Sequence, residues 1–361
     1  MSAATLIPTV GVIFGGASSE HAVSVRSARA VLEALERTPI ETLCFGVTRD
    51  GVWLRPIESA AQLSAMEAGA PDEVGGAIGS GLLSRPQVLE ALAECNVVFP
   101  LIHGRGGEDG TVQGLLELAD LPYVGAGVAA SAIAMDKAIA KRLFLEAGLP
   151  TIPYRVVTWH DWLADHGAAA KAADILGYPL FVKPAQGGSS IATRRVTTSD
   201  ELEAAVADAF RIDNRVLIEQ AVQAREIECA VLGNGQPEAS PLGEIRHRRE
   251  FYDYVAKYED AETELLVPAD IPADLSDTVQ AIALDAFAAI GCAGMARVDF
   301  LVEANSTVWL GEINTIPGFT AVSMFPRLWE HAGLSLPELA TKLVELALEQ
   351  HEERGHRAAQ G

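Results

Sequence analysis

In GMARVDFLVEANSTVWLGEIN (294–314), Arg297 and Asp299 stand two apart, and so do Glu312 and Asn314. Side chains alternate faces along a strand, so each pair shares one face while Val298, Phe300 and Val302 turn toward a core. The polar stretch EANS predicts a short antiparallel hairpin, which sets the two pairs opposite each other to within about one residue of register. Two carboxylates and an amide carbonyl are hard oxygen donors, suited to Mg²⁺ rather than zinc. Mg²⁺ commonly completes its shell with substrate phosphates, and two ions bridging a nucleotide's phosphates is the sharper form of this reading. The competing reading is a surface ion pair of Arg297 with Asp299 or Glu312.

A phosphate ligand needs a local positive site, because the whole chain is acidic. Its net charge is −22, which repels nucleic acid and anionic membranes. Among the six lysines, three stand beside a motif: Lys137, Lys183 and Lys257. In VKPAQGGSS (182–190), Lys183 ends a strand and is followed by a Gly-Gly-Ser-Ser turn. Glycine lets backbone N–H groups approach an anion, and serines add hydroxyl donors. The lysine precedes the glycines, so this is not a Walker A loop; a plain hairpin turn competes. HGRGGEDGTVQG (103–114) reads structurally as an Asp-Gly turn and helix start, and functionally as a backbone that brings His103 to a ligand. FGGASSEHAVS (14–24) is not G-x-G-x-x-G; Glu20 at its helix start either complements the helix dipole or holds a ligand's ammonium group.

The elements that must position these residues are those of an α/β protein. The chain has 361 residues, 49% apolar and 21% charged, which fits two or three soluble domains. Strands are predicted at 9–16, 41–48, 96–104, 121–127, 215–222 and 226–234, and 178–196 is predicted as a strand, a Gly/Ser loop and a second strand. Helices are predicted at 20–37, 131–148, 197–210, 276–291 and 335–350, with Thr198 and Glu201 in capping-box spacing. Residues 56–84 have weak periodicity and read as an irregular excursion, 246–262 as a charged and aromatic surface loop, and the final HEERGHRAAQG as a frayed tail. The four cysteines show no metal-ligand spacing and read as reduced, mostly buried thiols. No run approaches the ~20 apolar residues of a membrane span. The N-terminus lacks a basic n-region, so a cytoplasmic location is expected.

Taken together and in order, these motifs resemble the D-alanine–D-alanine ligases of the ATP-grasp superfamily, from about residue 10 to about 345. HGRGGEDGTVQG and GMARVDFLV…LGEINTIPG look complete. GGASSEHAVS, MDK (135–137), KPAQGGSS and FYDYVAKY (251–258) also match. One departure is SSIAT, where Ala192 stands at a position usually glycine in the family; it is expected to stiffen the phosphate loop. The resemblance implies an α/β fold of three domains: a Rossmann-like N-terminal domain (1–130) carrying the first D-alanine site, a central ATP-grasp lobe with the phosphate lid (131–220), and a C-terminal lobe with the metal hairpin and substrate loop (221–361).

It also implies ATP-dependent joining of two D-alanine molecules for peptidoglycan synthesis and cell-wall biogenesis, through a D-alanyl phosphate. The implied cofactors are ATP and two Mg²⁺ ions, with Mn²⁺ as a substitute; the implied partners are the substrates and a second copy of the chain in a homodimer. Lys137, Lys183 and Ser190 would contact ATP phosphates, Glu219 and the backbone from Gln220 to Val222 the adenine edge, and Glu226 the ribose. Asp299, Glu312 and Asn314 would hold Mg²⁺. Glu20, supported by Ser189 and Tyr258, would orient the first D-alanine near His103. Lys257 and Ser323 would hold the second carboxylate, and Arg297 and the Gly318 N–H would stabilise oxyanion charge. The YVAKY pattern is similar to that of dipeptide makers, so a D-Ala-D-Ala product with little D-Ala-D-lactate is expected. Three other readings compete: an ATP-grasp carboxylate–amine ligase for a different acid or amine, a dinucleotide-binding oxidoreductase, and a catalytically dead ligand-binding module. The first leaves GGASSEHAVS and HGRGGEDG without a purpose. The second leaves the hairpin unexplained. The third is opposed by the intact Lys183, Arg297, Asp299, Glu312 and Asn314.

Overall fold

A computed structural model describes residues 8–75, 81–188, 191–246 and 263–358. Ser189, Ser190, Lys257 and Tyr258 lie outside them, as does most of the expected 246–262 loop. Among the described residues there are three sheets. In the first, β1 (Thr9–Gly15) lies between β2 (Glu41–Val47) and β3 (Val97–Pro100), all parallel. The second is antiparallel, with β4 (Tyr154–Thr158), β7 (Arg215–Gln220), β5 (Leu180–Pro184) and β6 (Arg194–Val196) in that order. The third, also antiparallel, runs β10 (Glu264–Leu266), β9 (Glu238–Arg246), β8 (Ala224–Gly233), β11 (Gly294–Glu303), β12 (Val308–Asn314).

Short apolar runs make the parallel sheet because both of its faces are covered. Val10, Val12 and Phe14 turn to one core, and Ile13, Phe45 and Val98 to another. The first of these cores continues across the molecule to Met295, Phe319, Trp329 and Leu343, so the first and third sheets share buried surface. The second sheet has its own core around Trp162, Leu180 and Ile218.

Several expectations are corrected. The helix expected over 131–148 is two, Val128–Met135 and Lys137–Glu146, broken at Asp136. That residue is extended, and its Oδ1 accepts the Ile139 N–H at 3.1 Å as an N-cap. The irregular excursion contains the helix Pro56–Glu67, which starts on Pro at its first position with Glu58 closing back on the Arg55 N–H at 2.8 Å. The strand expected at 121–127 reduces to a bridge of Tyr123 with Val98. The tail is not frayed through Ala358: the helix Leu336–Ala358 continues, and Arg354 donates to Glu117 at 3.0 Å and lies over the Tyr123 ring. β4, β9 and the helix Met324–His331 were not foreseen. The four cysteines are free thiols, two buried and two partly so. No described helix is long and apolar enough to cross a membrane.

Candidate functional site

The hairpin forms as its alternation requires. Arg297 pairs with Asn314 and Asp299 with Glu312 in register, while Val298, Phe300 and Val302 are buried on the other face. A bulge after Asp299 ends the strict pairing, and bulges re-aim side chains where a strand meets a site. The Arg297 guanidinium grips Asp299 with two 2.7 Å hydrogen bonds, and the Asn314 Nδ2 donates to Asp299 Oδ2 at 2.9 Å. Burial opposes the charge on Arg297, but Asp299 and Glu228 outweigh it and push its pKa further up, so the guanidinium stays charged.

β8 adds an acid that the sequence analysis passed over. Glu228 is opposite Asp299, which makes a row Glu228–Asp299–Glu312 across three strands. Glu228 lies 3.2 Å from Arg297 Nε and is buried. The available signal was an acid at alternate positions in an otherwise apolar strand, REIECAVLG.

The cap at Asp136 aims Lys137 from the first turn of its helix. Its Nζ donates to the Gly187 carbonyl at 2.8 Å and lies 3.2 Å from Glu312, so one ammonium spans the glycine loop and the hairpin. One turn later Lys141 points to β7. Glu219 is buried between Lys141, 3.0 Å away, and Lys183, 2.5 Å away. Burial alone would raise the Glu219 pKa; the two lysines reverse this and hold it at about 2. The side chain expected at the adenine edge is thus engaged by two ammonium groups. The N–H groups of Gln220 and Ala221 are likewise committed, to the carbonyls of Pro153 and Pro179.

Glu20 sits at the N-terminus of the helix His21–Leu35 and reaches the glycine loop: a Cβ on Gly188 would fall 2.6 Å from Glu20 Oε2. His103 is buried, its Nδ1 3.0 Å from the Ile316 carbonyl and its Nε2 3.2 Å from Ser27 Oγ. Burial lowers its pKa, which favours the neutral ring. Nearby Glu108 accepts from the Gly104 N–H at 2.6 Å; burial first, and the charge of Glu20 next, push its pKa up to about 8. The HGRGGEDG segment starts the helix Thr111–Leu118, as its structural reading expects, and it also lines the cavity with His103 and Glu108. Beyond the hairpin, Ser323 Oγ accepts from the Thr320 N–H at 3.0 Å, and a Cβ on Gly318 would lie 2.7 Å from that hydroxyl.

Many of these groups face one cavity of about 570 Å³, lined by Glu20, His103, Lys137, Lys183, Arg297, Glu312, Asn314, Gly318 and Ser323 among others. Asp299, Glu219, Gln220, Val222 and Glu226 do not line it: Asp299 is held behind Arg297 and Asn314, and Glu226 lies on β8, opposite Leu301. No three His, Cys, Asp or Glu among the described residues form a metal cage. Two facing carboxylates and an amide, beside cationic lysines, nevertheless fit Mg²⁺ that takes its remaining oxygens from phosphates. Ala192, at the position where the sequence departs from the family pattern, has φ 54°, a left-handed conformation that glycine adopts without strain.

Comparison with known proteins agrees across the chain. The family description D-ala D-ala ligase N-terminus matches residues 9–126, and D-ala D-ala ligase C-terminus matches 143–345. A D-alanine–D-alanine ligase from Geobacillus thermodenitrificans is 43% identical, with 96% of each chain covered. One from Deinococcus radiodurans is 45% identical, with 93% of this chain and 97% of the relative covered. The solved D-alanine-D-alanine ligase of Coxiella burnetii superposes with a TM-score of 0.79 at 36% identity, covering 98% of both chains. A D-Ala:D-Ser ligase from Enterococcus faecalis gives 0.79 at 32% identity, over 94% of this chain and 99% of that one. With both halves matched and near-complete relatives well above 30% identity, the chain belongs to the D-alanine–D-alanine ligase family.

Proposed function

We propose that this protein joins two D-alanine molecules at the expense of ATP, and that the observation carrying this reading is the convergence of Glu20, three cationic side chains and the hairpin's Glu312 and Asn314 on one cavity. A carboxylate is a poor acylating agent. In the proposed sequence a carboxylate oxygen of the first D-alanine bonds to the γ-phosphorus as the bond to ADP breaks, giving an acyl phosphate. The amine of the second D-alanine, having given one proton up to solvent, then bonds to that carbonyl carbon; phosphate leaves with the C–O bonding pair and takes up the nitrogen's second proton.

Glu20 binds the first ammonium group, with neutral His103 beside it. Lys137 and Lys183 offset phosphate charge. Arg297 and the Gly318 N–H face the oxyanion of the second step, and Ser323, with Lys257, holds the second carboxylate. Asp299, Glu312 and Asn314 are the residues that would hold Mg²⁺, which when bound supplies Lewis-acid charge at the phosphates. Adenine and ribose are assigned to Gln220–Val222 and Glu226, which lie outside the cavity lining and would read the base through groups other than the committed Gln220 and Ala221 N–H. An acyl phosphate hydrolyses in water, so the site must close; Ser189, Ser190 and Tyr258 are assigned to the closing segments. The same reading places the enzyme in the cytoplasm as a homodimer, its three domains divided near residues 130 and 220.

Phosphate release from ATP tests the reading. It should require D-alanine and a divalent ion, proceed with Mg²⁺ or Mn²⁺, and yield D-Ala-D-Ala even when D-lactate is present. Equal release with L-alanine, or release indifferent to chelation, would remove it.

A further inference from the structure

Lys141 has no place in the reaction as proposed, yet it is among the largest fully buried side chains, 1% exposed. An ammonium group withdrawn from water is costly unless paired, and its desolvation lowers its pKa. Its partner is Glu219 Oε1 at 3.0 Å, and the other oxygen of the same carboxylate meets Lys183 at 2.5 Å. The two lysines differ in one respect: Lys183 lines the cavity, while Lys141 is sealed behind it on the helix that begins with Lys137.

We propose that Lys141 is a positioning residue for nucleotide binding: it is the fixed counter-ion of Glu219, and it leaves Lys183 able to serve a phosphate. The inference rests on the reading that the cavity takes ATP. A buried carboxylate cannot release its sole cation without a large penalty. Were Lys183 the sole partner of Glu219, each approach of Lys183 to a phosphate would strand a buried negative charge. With Lys141 in place the carboxylate remains paired, so Lys183 can be shared between Glu219 and an anion in the cavity. The Tyr154 ring, whose centroid is 5.6 Å from Lys141 Nζ, adds a second attractive surface that keeps the ammonium group there. Lys141 touches no reacting atom in this scheme and acts through Glu219 and Lys183.

The test is titration of full-length protein with Mg²⁺-ADP by calorimetry, for wild type, Lys141→Met, Lys183→Met and the double variant. Wild-type binding tests the underlying reading independently, because absence of nucleotide binding there would defeat that reading before any variant is made. The proposal expects Lys141→Met to weaken nucleotide binding about tenfold or more, roughly the worth of one charged hydrogen bond. It also expects the KM for D-alanine to stay within about threefold, a change worth less than 1 kcal/mol. Lys183→Met should then cost clearly less in the Lys141→Met background than in wild type. A folded Lys141→Met with wild-type affinity, or strictly multiplicative effects of the two substitutions, would overturn it. Should Lys141→Met not fold, Lys141→Arg decides, since it keeps the charge and must bind within about threefold of wild type. A tenfold loss in folded Lys141→Arg would contradict the proposal.

Discussion

Arg297 is held between Asp299 and Glu228 with its charge secured by both. Removing it should cost ~10²–10³ in kcat, the usual worth of one preorganised oxyanion donor, with the fold intact by circular dichroism. Near-normal turnover by Arg297→Ala would contradict the proposed oxyanion role. Glu219 makes a prediction about stability. Its folded pKa, about 2, is depressed below the ordinary carboxylate value. The unfolded chain therefore binds more protons as pH falls, and the stabilisation is present above about pH 4.5 and lost between there and about pH 2. Glu219→Gln should cost about 3–5 kcal/mol at pH 7, because it leaves buried Lys141 uncompensated. Its stability should also fall less steeply than wild type through that acid window in chemical denaturation. Glu108 has the opposite sign. With a folded pKa of about 8 it opposes folding increasingly from about pH 4.5 to 8, so Glu108→Gln should gain on wild type across that range. At this scale the sequence made the Arg-x-Asp and Glu-x-Asn pairs legible, because strand alternation is a local rule. Lys141, Glu108 and Glu228 were not legible as parts of the site, because partners distant in sequence give them their meaning.

Among the elements, the glycine loop and the helix break set the geometry. The hairpin followed from period two and a polar turn, and the helix Ser199–Ala209 from its capping box. The break at Asp136 did not, since its cause is partly tertiary: besides capping Ile139, the Asp136 carboxylate pairs with Arg215 from β7. β9 was hidden by Pro241 and Gly243 within EASPLGEIR, residues that argue against a strand until its neighbours on both sides are known. The loop departure gives a prediction of its own. Ala192 holds a left-handed backbone, at a cost of about 1 kcal/mol that glycine avoids. Ala192→Gly should raise the melting temperature slightly or leave it unchanged, as unfolded-chain entropy offsets part of the gain. A clear drop in melting temperature would show that the left-handed conformation is not the one the loop adopts.

Over the whole molecule, one core joins the first and third sheets, and the C-terminal helix Leu336–Ala358 is part of it. Leu343 is 1% exposed in that core. Leu343→Ala should cost about 2–5 kcal/mol and lower hydrogen-exchange protection in β1 and β11 together, while the second sheet, with its separate core, changes less. Loss confined to the C-terminal helix would contradict a shared core. This arrangement suits the function proposed for the cavity: Glu20 comes from the first sheet's side, Lys137 and Lys183 from the helix and strand about the second, and the proposed metal donors from the third. The acidic chain thus sets two of its six lysines, Lys137 and Lys183, on the cavity where phosphates are proposed to lie. The composition predicted such a local site; which lysines meet, and which carboxylate they share, required the fold.

The central claim is that a D-alanine carboxylate is phosphorylated before the peptide bond forms. It is tested most directly by supplying D-alanine labelled with ¹⁸O in its carboxyl group and analysing the released phosphate by mass spectrometry. Attack of that carboxylate on ATP transfers one labelled oxygen to each phosphate formed, in step with D-Ala-D-Ala production. Unlabelled phosphate accompanying dipeptide synthesis would contradict the account.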